Sequence, residues 1–246
     1  MGKDAMSDNI IPAAPKVEPH DAGQSAKLNW LRAGVLGAND GIVSTALLLL
    51  GVIAAGSSTG AIATAGVAAI IAGAVSMALG EYVSVSTQRD TERALIEKEK
   101  AELRDYPAEE HQELVHILRS YGMSDDIAHD AATSIHDADP LSAHLRLELG
   151  IDGEDLTSPW AAAGSSAVSF MLGAILPMLA AILAPRESGV WAVTIVTLIA
   201  LAITGFVSAK LSDTNPVAAT LRLLIGGALG LVVSYFIGTF FGGVVD

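Results

Sequence analysis

Hydrophobic positions along the chain fall into five long blocks. They run from about residue 31 to 55, 60 to 79, 161 to 184, 190 to 209 and 217 to 245. The first is interrupted by Asn39 and Asp40. Each block is close to or above the ~20 residues a helix needs to cross ~30 Å of hydrocarbon. Backbone groups in lipid must be satisfied within the segment, so all five are expected to be helices. Between blocks two and three the pattern turns polar. With no Gly or Pro between Glu81 and Tyr106, span two is expected to continue as a helix to about Arg104. Pro107 then opens a second helix, 108–121, closed by Gly122. Ser124 or Asp125 caps a third, 125–136, and Pro140 opens a short fourth that ends at Gly150. The expected fold is an all-α membrane protein with five transmembrane helices per subunit and a small helical domain inserted between helices 2 and 3. The boundaries read 28–87 for spans one and two, 88–157 for the insert and 158–246 for spans three to five. Residues 1–27 lack the apolar run of a signal peptide and read as a disordered cytosolic tail.

Charge sharpens this picture. The 246 residues are 51% hydrophobic and only 17% charged, yet the formal net charge is −13. Residues 82–157 hold 18 of the 27 acidic side chains and 7 of the 14 basic ones, so almost all the excess lies in the insert. Five of the six histidines, His111, His116, His129, His136 and His144, are there too. With no cysteine, disulfides, Cys zinc sites, iron–sulfur clusters and thiol nucleophiles are excluded. The acidic balance argues against a nucleic-acid partner, which would need clustered Lys and Arg.

Basic residues set the orientation. Lys27 and Arg32 precede span one, Arg89 and Arg93 follow span two, and Lys210 and Arg222 bracket the turn near Asp213. The opposite side has an uncharged turn at 56–60, Arg186 offset by Glu187, and Asp246. The N-terminus, the insert and the Asp213 turn are therefore expected in the cytosol, with the C-terminus outside. Small residues crowd the spans, which suits close helix packing within one bundle or across a homodimer; five helices are few to enclose a polar path, which favours the dimer.

Asp40 is costly inside an apolar helix and by default marks an ion path, the alternative being a pairing with Arg32 or a cap on a broken helix. The turn between spans one and two centres near residue 58, which puts Asp40 and Met77 at nearly one depth. Glu81 lies about one turn further toward the cytosol. Carboxylate oxygen suits hard ions such as Mg²⁺ and Mn²⁺, while thioether sulfur favours softer, later metals. Met also serves commonly as a core filler. Pro177 either breaks span three, freeing carbonyls for the path, or only kinks it.

In the insert, Glu99 and Glu102 share a helix face at spacing three, as do Glu110 and Glu113, with His116 three further on. A hairpin about Tyr106–Pro107 would bring the four carboxylates together, with Glu148 completing the shell. Such a cluster either binds a cation or is a solvated acidic surface. Glu113-x-x-His116 also matches one element of di-iron carboxylate bundles, which leaves a membrane-tethered ferroxidase or iron-binding protein as a rival; the second such element is missing.

The strings LRAGVLGANDGIVSTALLLLGVIAAG, SMALGEYVSVSTQRDTE, YPAEEHQEL, and ELG before a span containing GAILP resemble the vacuolar iron transporter family over about residues 28–245. The resemblance implies a homodimeric, proton-coupled antiporter that exports Fe²⁺ and related divalent metals (Mn²⁺, Co²⁺, Zn²⁺) from the cytosol. The metal is cargo and no prosthetic group is implied. By motif, Asp40 and Met77 match the intramembrane transport residues, and Glu99, Glu102, Glu110, Glu113 and Glu148 the metal-binding glutamates. Two positions depart from the pattern. His144-Leu145 stands where plant members carry adjacent Met residues, which makes His144 a candidate ligand in place of thioether. Ala33 replaces an acidic residue of some members. A bacterial-type homologue in the inner (plasma) membrane is the expected setting.

Overall fold

The computed structural model describes residues 24–151, 158–212 and 214–245, and among these all regular structure is helical. Eight helices follow in chain order: α1 (Gln24–Ala54), α2 (Thr59–Asp105), α3 (Pro107–Ser120), α4 (Asp125–Ala138), α5 (Pro140–Leu147), α6 (Pro159–Leu183), α7 (Gly189–Leu211) and α8 (Pro216–Val245). A 3₁₀ turn at Arg186–Ser188 precedes α7. Helices α1, α2, α6, α7 and α8 are each long and apolar enough to cross a membrane. The tail 1–23, the Asp213 turn and any side-chain pairing of Asp40 with Arg32 lie outside the described residues.

Local chemistry explains the breaks between elements. Gly56 has φ +80°, a left-handed conformation that favours glycine, and Ser58 caps α2 by accepting the Ala61 N–H at 3.3 Å. The 47 residues of α2 span roughly 70 Å at 1.5 Å per residue, more than twice the thickness of hydrocarbon. Its second half therefore projects beyond the apolar layer, as the unbroken sequence from Glu81 to Tyr106 predicts. Pro107 occupies the first turn of α3, and the Asp139 carboxylate accepts the Ser142 N–H at 3.1 Å to start α5. Helix α4 runs two residues beyond the expected end at 136. Helix α5 stops at Leu147, where the Glu148 and Leu149 N–H groups both turn back to the His144 carbonyl.

Helix α6 is the centre of the bundle. Near their connecting turn α1 and α2 touch directly, with Leu49 against Gly66. Further along, α6 wedges between them, and the Phe170 backbone lies so close to Gly41 that a methyl group there would collide with its carbonyl. The Phe170 ring fills the space beside Gly73 on α2. Helix α6 is continuous through the buried Pro177, so the proline does not break span three. Helices α7 and α8 close the other side. Ala200 and Leu201 pack on Ile42, Leu231 joins the cluster around Ala46, Leu49 and Leu50, and the Ser234 hydroxyl donates to the Leu47 carbonyl. At the end opposite the acidic segment, Arg186 Nη2 donates to the Gly56 carbonyl at 2.8 Å and ties two turns together.

Candidate metal centre and membrane path

The acidic segment has its own small core of Leu114, Val115 and Leu118 from α3 with Ala128 and Ala132 from α4. That hairpin turns Glu110 away from α4, toward the distal end of α2. Helix α5 then packs across α2, and its one-turn spacing aligns His144 with Glu148. The result is a four-residue group of Glu99, Glu110, His144 and Glu148, with one potential ligand atom from each lying within 4.8 Å of all the others.

His144 is its hub and is fully buried. Its Nδ1 lies 3.1 Å from Glu99 Oε1, 3.2 Å from Glu148 Oε2 and 3.6 Å from Glu110 Oε2. One ring nitrogen can donate one hydrogen, and the hydrogen-bond geometry assigns it to Glu148. Glu99 Oε1 and His144 Nε2 are both shut off from solvent without a hydrogen-bond partner. Three carboxylates thus face a single imidazole that carries at most one positive charge. Glu99 and Glu110 are buried while Glu148 is exposed, and two buried carboxylates crowded by a third are expensive without a compensating cation. Burial pushes the Glu99 carboxyl up to about 7, with the Glu148 charge adding to the shift and His144 opposing it. Burial likewise raises Glu110, helped by the Glu113 charge. Oxygen donors with one borderline nitrogen suit a divalent first-row ion.

The other acidic candidates are nearby but outside this group. Glu102 is ion-paired with Lys98 at 2.8 Å, although its charge still reaches Glu99. Glu113 and His116 are exposed and line a shallow hollow with Gln112, Ile117 and Ser120. The hairpin brings Glu99 and Glu110 together because residues three apart on a helix differ by about 60° in direction, so only one of each pair points fully inward.

In the bundle, Asp40 and Met77 share a level set by Phe170. Gly41, next to Asp40, abuts the Phe170 backbone, and Met77 packs against the Ala74–Phe170–Ala174 cluster. Within one chain, however, α6 stands between their helices. Asp40 is exposed on the outside of the single bundle, while its neighbour Asn39 has a buried side-chain oxygen without a partner. Glu81 is partly buried on α2, one turn beyond Met77.

Five membrane-length helices with a buried carboxylate–imidazole cluster beyond the second are accompanied by a decisive sequence match: a model of the VIT family covers residues 31–239. The chain belongs to the VIT family. Among relatives of this VIT-family protein, the vacuolar iron transporter of Acanthamoeba castellanii is 40% identical over 210 residues, 85% of this chain and 77% of its own. Vacuolar iron transporter homolog 1 of Oryza sativa subsp. japonica is 36% identical over 239 residues, 96% and 85% of the two chains. Vacuolar iron transporter homolog 2.1 of Arabidopsis thaliana is 33% identical over 229 residues, 93% and 89%. The resemblance carried by the NDG and SMALGEYVS strings is thus confirmed, and the relatives are named as transporters, not enzymes.

Proposed function

We propose that this VIT-family protein moves Fe²⁺, and related divalent ions such as Mn²⁺, out of the cytosol in exchange for protons. The observation that carries the reading is the continuity of α2. One 47-residue helix holds Met77 and Glu81 in its apolar part and Glu99 in the acidic cluster. From Met77 to Glu99 is roughly 33 Å along that helix, so a rigid element links the capture site to the membrane path. The cluster around His144 raises the local metal concentration at the membrane mouth, and Asp40 and Met77 then take the ion. Asp40 and Glu81 exchange metal for proton. The relatives' printed names support iron as cargo.

A homodimer completes the path. An exposed carboxylate facing lipid at mid-helix costs about 2.5 kcal/mol or more, so Asp40 needs a partner surface or a water-lined cavity. A second copy packed against this face supplies both. In this arrangement the N-terminus and the acidic segment are cytosolic and the C-terminus is outside, following the basic residues near the span ends.

The test is metal flux into proteoliposomes with the acidic segment outward, for Fe²⁺, Mn²⁺, Co²⁺ and Zn²⁺, with and without an acidic lumen. Fe²⁺ entry should accelerate with the acidic lumen, and Asp40→Ala should abolish it while leaving the oligomer unchanged. Undiminished flux in Asp40→Ala would overturn the path; indifference to the gradient would overturn the exchange.

A further inference from the structure

At the end of the bundle opposite the acidic segment, a cavity of about 290 Å³ lies beside the tie between Arg186 and Gly56. All five membrane-length helices reach it, through Ala54 of α1, Thr59 of α2, Ala181 of α6, Val190 of α7 and Thr239 of α8. Arg186 also lines it. Its Nη2 donates to the Gly56 carbonyl, and among the described residues it has no ion pair, its neighbour Glu187 included. A guanidinium has further N–H donors, which remain for a ligand. The Ser57, Thr59 and Tyr235 hydroxyls line the same space. Thr59 and Gly189 are the first residues of α2 and α7, so the positive ends of two long helices border it as well. This is the chemistry of an anion site.

A second hollow continues from the first. Val190 and Tyr235 line both the polar cavity and an apolar groove of about 520 Å³ between α7 and α8. The groove runs on between Leu198 of α7 and Ala228, Leu231 and Val232 of α8. The Thr194 hydroxyl turns back to the Val190 carbonyl at 2.8 Å, which leaves the walls below the rim almost wholly apolar. From Val190 to Leu198 is roughly 12 Å along α7, most of one ~15 Å hydrocarbon leaflet. Glu187 and the exposed Trp191 stand at the mouth, and an exposed Trp at a span end sits at headgroup level. A polar head space, an apolar body and the depth of one leaflet together match a single phospholipid.

We propose that the cavity and groove hold one phosphatidylethanolamine from the leaflet opposite the acidic segment. Arg186 takes the phosphate, Glu187 takes the ammonium, and an acyl chain lies along the groove between α7 and α8. The order of charges selects this headgroup. Arg186 borders the polar cavity and Glu187 the mouth of the groove, so neighbouring positive and negative groups meet a neighbouring phosphate and ammonium. An anionic headgroup such as phosphatidylglycerol satisfies Arg186 but leaves Glu187 facing a like charge. The bound lipid joins all five spans at this end. Asp40 and Met77 are outside the lining of both hollows, so the site is separate from the proposed metal path.

The test uses the full-length protein in detergent, titrated with phosphatidylethanolamine or phosphatidylglycerol of identical acyl chains and read by native mass spectrometry. One phosphatidylethanolamine per chain should bind ahead of all other lipid, about tenfold more tightly than phosphatidylglycerol. Arg186→Gln should weaken both lipids at least about tenfold, as loss of a charge-assisted hydrogen bond does. Glu187→Gln should erase the preference between them. Arg186 also ties two turns, so Ala228→Trp supplies an independent check. It fills the groove on α8, away from that tie, and should remove the tight lipid while circular dichroism shows the helices intact. Equal retention of both lipids by the wild-type and Ala228→Trp proteins would mean annular lipid only and would overturn the proposal. Displacement by inorganic phosphate would also overturn it, since the site would then take a free anion. Neither result bears on transport, which is read by flux.

Discussion

His144 Nδ1 lies 3.1 Å from Glu99 Oε1, joining the far end of a membrane-spanning helix to the last helix of the acidic segment. The imidazole faces three carboxylates whose charge the proposed metal ion would neutralise. Replacing either partner should therefore have opposite effects on the metal-free protein. Glu99→Gln keeps the shape and removes one of three crowded charges, so the metal-free protein should melt at a higher temperature, with the metal-induced rise lost. His144→Ala leaves three carboxylates facing a cavity without the imidazole hydrogen bond and should lower the melting temperature; leaving a buried polar group unpaired costs about 1–3 kcal/mol. Thermal unfolding with and without Mn²⁺ reads both.

The stability of the metal-free protein should depend on pH through Glu99. Its carboxyl is raised from 4.5 to about 7 by burial, so the folded state binds a proton more tightly than the unfolded state. Stability from this group is present below about 4.5 and declines as pH rises through about 7. The melting temperature should thus fall between pH 5 and 8, and Glu99→Gln should flatten that slope. Metal affinity of the proposed site should run the other way, weakening as pH drops below about 7 because proton and ion would compete for the same oxygens. Titration calorimetry at pH 6 and 8 reads this second trend.

Met77→Leu keeps the volume against Ala74 and Phe170 but removes the sulfur. The fold should be unaffected, since such apolar exchanges usually cost less than about 1.5 kcal/mol. Flux of Co²⁺ and Fe²⁺ should fall several-fold relative to Mn²⁺, because thioether sulfur favours the later ions. Equal losses for all three metals would exclude a ligand role for the sulfur.

Two glycines separate packing within the chain from the packing between chains that the proposed dimer requires. A side chain at Gly41 meets the Phe170 carbonyl, so Gly41→Leu should push α1 off α6, cost roughly 1–3 kcal/mol or more, and reduce folded yield. A side chain at Gly80 meets nothing in the single chain, and its neighbours Leu79 and Val83 on α2 are exposed. Gly80→Trp should then leave the bundle folded and shift the assembly from dimer toward single chains in light scattering. A dimer unaffected by this change would place the interface elsewhere.

The sequence by itself determined the five apolar helices, the long continuation of α2 and the approximate ends of α3, α4 and α5. These depend on local causes: runs of about twenty apolar residues, Pro at first turns, Gly56, Gly122 and Gly150 at positive φ. It also named all four residues of the cluster: Glu99 and Glu110 by helical spacing, Glu148 by its place on the last helix of the insert, and His144 only through the family resemblance, where it departs from the plant members' Met pair. Only the tertiary structure decided which glutamates converge. Glu99 and Glu102, like Glu110 and Glu113, are equivalent by spacing, and the rotation of α2 and α3 against α5 turns Glu99 and Glu110 inward while Glu102 pairs with Lys98. The same holds in the bundle. Depth along two helices is a local count and puts Asp40 and Met77 at one level, but the wedge of α6 between them depends on close approaches at Gly37, Gly41 and Gly173, on helices far apart in the chain. Helical periodicity fixes what shares a face; which faces meet is set by side-chain volume across the interface.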